Sequence, residues 1–100
     1  MPGTTVLIYD YVPDVLERRG PHREEHLAHI DDWAGGGRLA MAGAIGDPPS
    51  GALFVFESTD RADVERFAAD DPYAAAGLVS ESRIEPWALV TQRPPAAEAL

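Results

Sequence analysis

Between Thr4 and Val12 the chain reads TTVLIYDYV. This run of β-branched and aromatic residues ends at Pro13 and predicts a first strand. Asp14–Gly20 is polar, with a helical turn (DVLERR) closed by Gly20. Pro21 then opens a helix to about Ala34, where Gly35, Gly36 and Gly37 stop it. In that helix Leu27, Ile30 and Ala34 share one row, His26, Ile30 and Trp33 an adjoining one, while Arg23, Glu24, Asp31 and Asp32 form a solvated face. Arg38–Ala44 predicts a second strand, Gly46–Gly51 a turn cluster, and Ala52–Glu57 a third strand pairing antiparallel with the second. Ser58 or Asp60 is placed to cap a second helix, Arg61–Ala69, with Val64, Phe67 and Ala68 inward. Asp71 caps a short helix from Pro72 to Val79, and Ser82–Thr91 predicts the last strand, its Pro86 marking an edge or a bulge. Residues 93–100 read as a mobile tail, leaving one domain over residues 1–92.

The resulting order, β-α-β-β-α-β, is the ferredoxin-like arrangement of the α+β class. Its strands are apolar on both faces. Val6, Ile8 and Val12 alternate with Leu7, Tyr9 and Tyr11, and Leu53 and Val55 alternate with Phe54 and Phe56. Two helices cover only one face of such a sheet, and an apolar patch on the other is larger than a monomer usually exposes. A second copy of the same sheet is the simplest cover, so a homodimer is expected.

Composition narrows the partners. One hundred residues, 45% hydrophobic and 25% charged, suit a single globular domain. Eight basic residues, all Arg, face seventeen acidic ones for a formal charge of −9, which repels nucleic acid and anionic membranes alike. The absence of Cys excludes disulfides and thiolate chemistry, which fits a cytoplasmic chain, and the apolar run Val6–Tyr9 is too short for a signal peptide or a membrane span.

His22, Glu25 and His26 spell H-x-x-E-H, an inverted zinc-protease pattern with two histidines one turn apart. Those enzymes need a further acidic ligand and a cleft that this domain is too small to build, and His22 beside Pro21 points to solvent. No metal is expected. No G-x-S-x-G elbow supports a serine nucleophile, and the Gly35–Gly37 run follows a helix, so it ends one instead of cradling phosphate. His29 lies on a different row from His26. Trp33, Tyr73 and Trp87 read as core or interface aromatics. His26, beside the apolar row, reads either as a proton-transfer group or as a partly buried structural histidine.

The chain resembles the YciI-like (YCII-related) family of small dimeric α+β barrel proteins. The resemblance rests on Val6-Leu7-Ile8-Tyr9, Asp14-Val15-Leu16-Glu17-Arg18-Arg19, Arg23-Glu24-Glu25-His26-Leu27, Gly37-Arg38-Leu39 with Ala42-Gly43, Asp71-Pro72-Tyr73 with Ala76-Gly77-Leu78, and Ile84-Glu85-Pro86-Trp87, in order over residues 4–91. It implies a ferredoxin-like fold, dimerisation through sheet faces and a His–Asp pair in a cleft, here His26 and Asp71. It departs at Gly43-Ala44, where many members have Gly-Pro after the second strand. One oxygen of Asp71 could cap the helix while the other receives the imidazole. A relative acting as a dehydrochlorinase implies general acid/base proton transfer, of isomerase, dehydrohalogenase or lyase type, on a small organic molecule without a cofactor. Tyr73 is the aromatic best placed to line the pocket. Arg23, one turn before His26, either binds an anionic group of the substrate or pairs with a nearby carboxylate. The competing reading is a non-catalytic dimeric binding or accessory module with a structural His–Asp pair.

Overall fold

The computed structural model describes residues 3–92, and the tail expected over residues 93–100 lies outside them. The element order is β1 (Thr4–Tyr11), α1 (Val15–Arg18), α2 (Gly20–Gly35), β2 (Leu39–Ile45), β3 (Gly51–Glu57), α3 (Arg61–Asp70), α4 (Pro72–Ala75) and β4 (Val79–Trp87). The strands form one antiparallel sheet in the order β2-β3-β1-β4. This is the ferredoxin-like βαββαβ topology read from the sequence.

Alternation along the strands divides the sheet into two faces. Leu7 and Tyr9 of β1 and Ala52, Phe54 and Phe56 of β3 face the helices, where they pack with Leu39, Val64 and Phe67. A second small cluster of Val15, Tyr73 and Leu78 closes the end nearest α1 and α4. On the opposite face the register aligns Met41 with Val55 and Val6, and Gly43 with Leu53 and Ile8.

A register shift in β2 decides which of its side chains meet the helices. Leu39 pairs with Phe56, but Met41 pairs with Val55, so Ala40 is an extra residue. Such a bulge reverses the alternation beyond it. Leu39 therefore packs in the helix-side core, while Met41 and Ile45 turn to the other face and Ala42 and Ala44 turn toward α2. Small side chains thus occupy the helix side of β2 where larger ones would otherwise stand.

Several boundaries differ from expectation. Gly20 opens α2 instead of closing α1, with the Arg19 amide donating to the Val15 carbonyl at 2.8 Å between the two helices. The short helix stops at Ala75 because Gly77, at φ +77°, supports a Schellman turn: the Leu78 amide donates to the Tyr73 carbonyl and the Gly77 amide to that of Ala74. Strand β4 spans Val79–Trp87, not Ser82–Thr91. A bulge at Ser80 lets Val79 pair with Tyr11, and Trp87 meets Thr4 at the start of β1, beyond which no partner strand occurs among the described residues. Pro86 does lie on an edge strand. Asp60 occupies the N-cap of α3, but its carboxylate makes no capping bond. In α2 Leu27 is 43% exposed and Ala34 is exposed, so the inward row is His26, His29, Ile30 and Trp33. No helix among the described residues is long and apolar enough to cross a membrane.

Candidate functional site

Asp71 sits between α3 and α4 with no exposed surface. Asp followed by Pro favours this position: Pro72 has no amide proton to satisfy at the first helical residue, and the carboxylate takes the next free amide. The Tyr73 amide donates to Asp71 Oδ1 at 2.9 Å. His26, 5% exposed in the second turn of α2, places Nδ1 at 2.7 Å from the same oxygen. Cap and pair therefore share Oδ1 instead of dividing the carboxylate. The remaining oxygen, Oδ2, accepts the Tyr9 hydroxyl at 2.7 Å.

Three donors around one buried carboxylate set its charge. Burial opposes ionisation of Asp71, but the hydrogen bonds from His26, Tyr9 and the Tyr73 amide outweigh it and hold the carboxyl below its ordinary range. Burial, followed by the negative charge of Asp71, drives the Tyr9 phenol well above its usual value, so Tyr9 stays a donor. An ionised carboxylate only accepts, so Nδ1 of His26 carries the proton and Nε2 of the neutral ring is left with a lone pair. The imidazole also stacks on the Tyr73 ring, with centroids 3.6 Å apart and planes within 5°.

His26 and Tyr73 border a cavity of about 270 Å³ between α2 and the β2–β3 half of the sheet. Its floor is small and apolar, made by Ala42, Gly43, Ala44 and Ala52, with Phe54 beside them. The Gly43-Ala44 pair lies inside β2, not after it, and forms part of this floor. Leu27 stands on the cavity wall, which explains why it does not pack against the sheet. Tyr11, Arg19 and Arg23 complete the polar side. Burial, then Tyr73 and Asp71, push the Tyr11 phenol up to about 12, with Arg19 and Arg23 pulling the other way.

Of the four site residues expected from the sequence, His26, Arg23 and Tyr73 line this cavity, and Asp71 lies buried outside its lining, bonded to His26. Tyr9, Tyr11 and Arg19 went unforeseen at the site, and His29 has an unforeseen structural bond. Tyr9 read as one more apolar strand residue, although its alternation with Leu7 and Tyr11 places it on the helix face. His29, set aside on its own row, donates from Nε2 to the Phe67 carbonyl at 2.9 Å and stacks on the Phe67 ring. That carbonyl lies in the last turn of α3, and the Asp71 amide bonds Ala68 instead, so His29 satisfies an otherwise orphaned acceptor. In the H-x-x-E-H run, His26 is committed to Asp71 while Glu25 is exposed, and no group of metal-ligating side chains occurs among the described residues.

A model of the YCII-related domain matches residues 4–88. An uncharacterized protein of Haemophilus influenzae is 34% identical over a 93-residue alignment that spans 82% of this chain and 93% of its own length. In structure the chain is similar to 5-chloro-2-hydroxyhydroquinone dehydrochlorinase from Burkholderia phenoliruptrix in complex with 2,5-dihydroxybenzoquinone. The TM-score is 0.72, with 20% identity, over 85% of this chain and 93% of that one. An antibiotic biosynthesis monooxygenase shares the fold at a TM-score of 0.54 and 13% identity, covering 91% of this chain and 100% of that one. The resemblance seen in the sequence holds: the chain belongs to the YCII-related domain family.

Proposed function

We propose that this member of the YCII-related family is a small-molecule enzyme that moves protons with His26 and Asp71. The observation that carries the reading is the 2.7 Å contact between His26 Nδ1 and Asp71 Oδ1, buried at the wall of a ring-sized cavity. Asp71 holds the Nδ1–H tautomer and stabilises the imidazolium that forms; Nε2 takes the proton. The cavity suits a substrate with an acidic proton on a ring hydroxyl or beside a carbonyl. His26 removes that proton and returns it elsewhere in an isomerisation, or the bonding electrons expel a halide in a dehydrohalogenation. The structural neighbour that is a dehydrochlorinase makes the second class a natural starting point. No step in this scheme calls for a cofactor.

The working unit in this reading is a homodimer formed by the helix-free sheet face. Met41 and Ile45 on that face are 62% and 45% exposed, a cost that a second copy removes.

The test is turnover of chlorinated hydroxyquinols and cyclic enol-lactones, followed by chloride release and by absorbance. His26→Ala and Asp71→Asn are each expected to lower kcat by roughly two to four orders of magnitude. Turnover that survives both substitutions overturns the scheme. Binding without turnover in the native chain would favour a non-catalytic binding module.

A further inference from the structure

Five of the seven arginines among the described residues are engaged. Arg18 pairs with Asp14 at 3.4 Å, Arg38 with Asp63 at 2.9 Å, Arg61 with Glu65 at 3.2 Å, Arg83 with Glu85 at 3.7 Å, and Arg66 also with Asp63. Arg19 and Arg23 are different. Neither makes a side-chain hydrogen bond or an ion pair among the described residues, in a chain with seventeen carboxylates and a net charge of −9. Both border the same cavity as His26, and Arg19 is half-buried there.

One further feature points the same way. Arg19 also occupies the N-cap of the sixteen-residue helix α2, whose first turn has no acidic side chain to offset the positive end of its dipole. Unpaired positive charge has thus collected at one place on an acidic protein, beside an apolar floor. A volume of about 270 Å³ lies at the lower end of small-molecule pockets, which suits one ring and its substituents, not a nucleotide.

We propose that Arg19 and Arg23 form a carboxylate subsite, so that the ligand of this cavity is a monocyclic organic acid whose ring lies over Ala42, Ala44 and Ala52. The guanidiniums anchor the anionic group at the α2 end of the cavity. The ring then reaches along the floor toward His26 and Tyr73. This inference rests on the acid–base reading only for which end of the ligand faces His26. The charge preference itself is a binding property and is measured without turnover.

The experiment is calorimetric titration of the full chain with 2,5-dihydroxybenzoate and with its neutral amide, 2,5-dihydroxybenzamide, at low and high salt. The acid is expected to bind at least about tenfold more tightly than the amide at low salt, the scale of a charge-assisted hydrogen bond, with the margin narrowing as salt rises. Arg19→Gln and Arg23→Gln should each remove most of that margin, weakening acid binding more than amide binding, and Arg23→Lys should restore part of it. Equal affinity for acid and amide, an unchanged margin in both Gln variants, or no acid binding at millimolar concentration overturns the subsite. If a Gln variant fails to fold by circular dichroism, the acid–amide margin and its salt dependence in the native chain decide. Loss of turnover on every substrate with the acid preference intact would overturn the acid–base reading alone.

Discussion

The Tyr9 hydroxyl donates to Asp71 Oδ2 at 2.7 Å, joining the central strand β1 to the junction of α3 and α4. The bond crosses 62 residues of sequence, and both groups are buried. Removing the hydroxyl leaves a buried carboxylate with two donors instead of three. Tyr9→Phe should therefore destabilise the fold by about 1–3 kcal/mol, read as a lower urea midpoint with an unchanged slope. It should also loosen the orientation of His26, so that any turnover falls while the ring volume at position 9 is kept. A variant as stable as the native chain would show that Tyr9 contributes packing alone.

Acid should weaken the fold through the same carboxylate. The folded-state pKa of Asp71 lies below its ordinary 3.8, so the folded chain favours the ionised form. Its contribution is complete above about pH 4 and is lost as pH falls through the depressed folded value, where both states become protonated. Other carboxylates titrate nearby, so the informative quantity is the stability difference between the native chain and Asp71→Asn. That difference should shrink as pH falls below about 4, through the depressed folded value. A difference that does not change in this acid range would mean that the folded chain does not favour the ionised carboxylate.

Much of this was legible in the one-dimensional pattern, and the exceptions share a cause. Period-two runs marked β1 and β3, and Asp71-Pro72 marked its own cap, because these signals are local. The bulge at Ala40 has no local signature, yet it turns Ala42 and Ala44 toward α2 and opens the cavity. Tyr9 could be assigned to a face but not to a partner, since Asp71 reaches it only once α3 has packed on the sheet. The same holds for His29, whose acceptor is the carbonyl of Phe67 on another helix. The pairing of His26 with Asp71 came from family resemblance, because nothing in the spacing of residues 26 and 71 sets how α2 and α4 approach.

The small floor residues offer a way to separate cavity from fold. Ala44, Ala52 and Tyr9 form a row across β2, β3 and β1, so a larger side chain at Ala44 projects into the space beside Ala52. Ala44→Leu should fill part of the cavity, abolish ligand binding by calorimetry and leave the melting temperature unchanged or higher. A marked loss of stability would show instead that the site is already filled to capacity.

Gly51 supports the site from behind. A Cβ there would clash with the Tyr9 carbonyl oxygen, a backbone atom of the residue that holds Asp71. The strand or its neighbour must then move. Gly51→Ala should cost about 1–3 kcal/mol or more in urea unfolding. It should also displace Tyr9, so a change in aromatic near-ultraviolet dichroism is expected with it.

The helix-free sheet face carries the remaining prediction. Exposed Met41 and half-buried Leu53 and Ile8 adjoin Val55 and Val6, which are already buried in the single chain, with Trp87 at the far edge 45% exposed. Arg83 and Glu85 on β4 pair with each other beside them, which gives the patch a polar rim. An apolar centre with a polar border is the anatomy of a protein interface, and burying it against its own copy removes the exposed area at no cost in new partners. The native chain should therefore sediment at micromolar concentration as a species of twice 10.8 kDa. Leu53 lies near the middle of that face and outside the helix-side core, so Leu53→Glu should dissociate the dimer and leave helix and strand content unchanged by circular dichroism. A milder Leu53→Ala should weaken association by a smaller factor, which separates lost contact from introduced charge. A native chain that sediments at 10.8 kDa, or a Leu53→Glu chain that stays dimeric, would place the interface elsewhere or remove it.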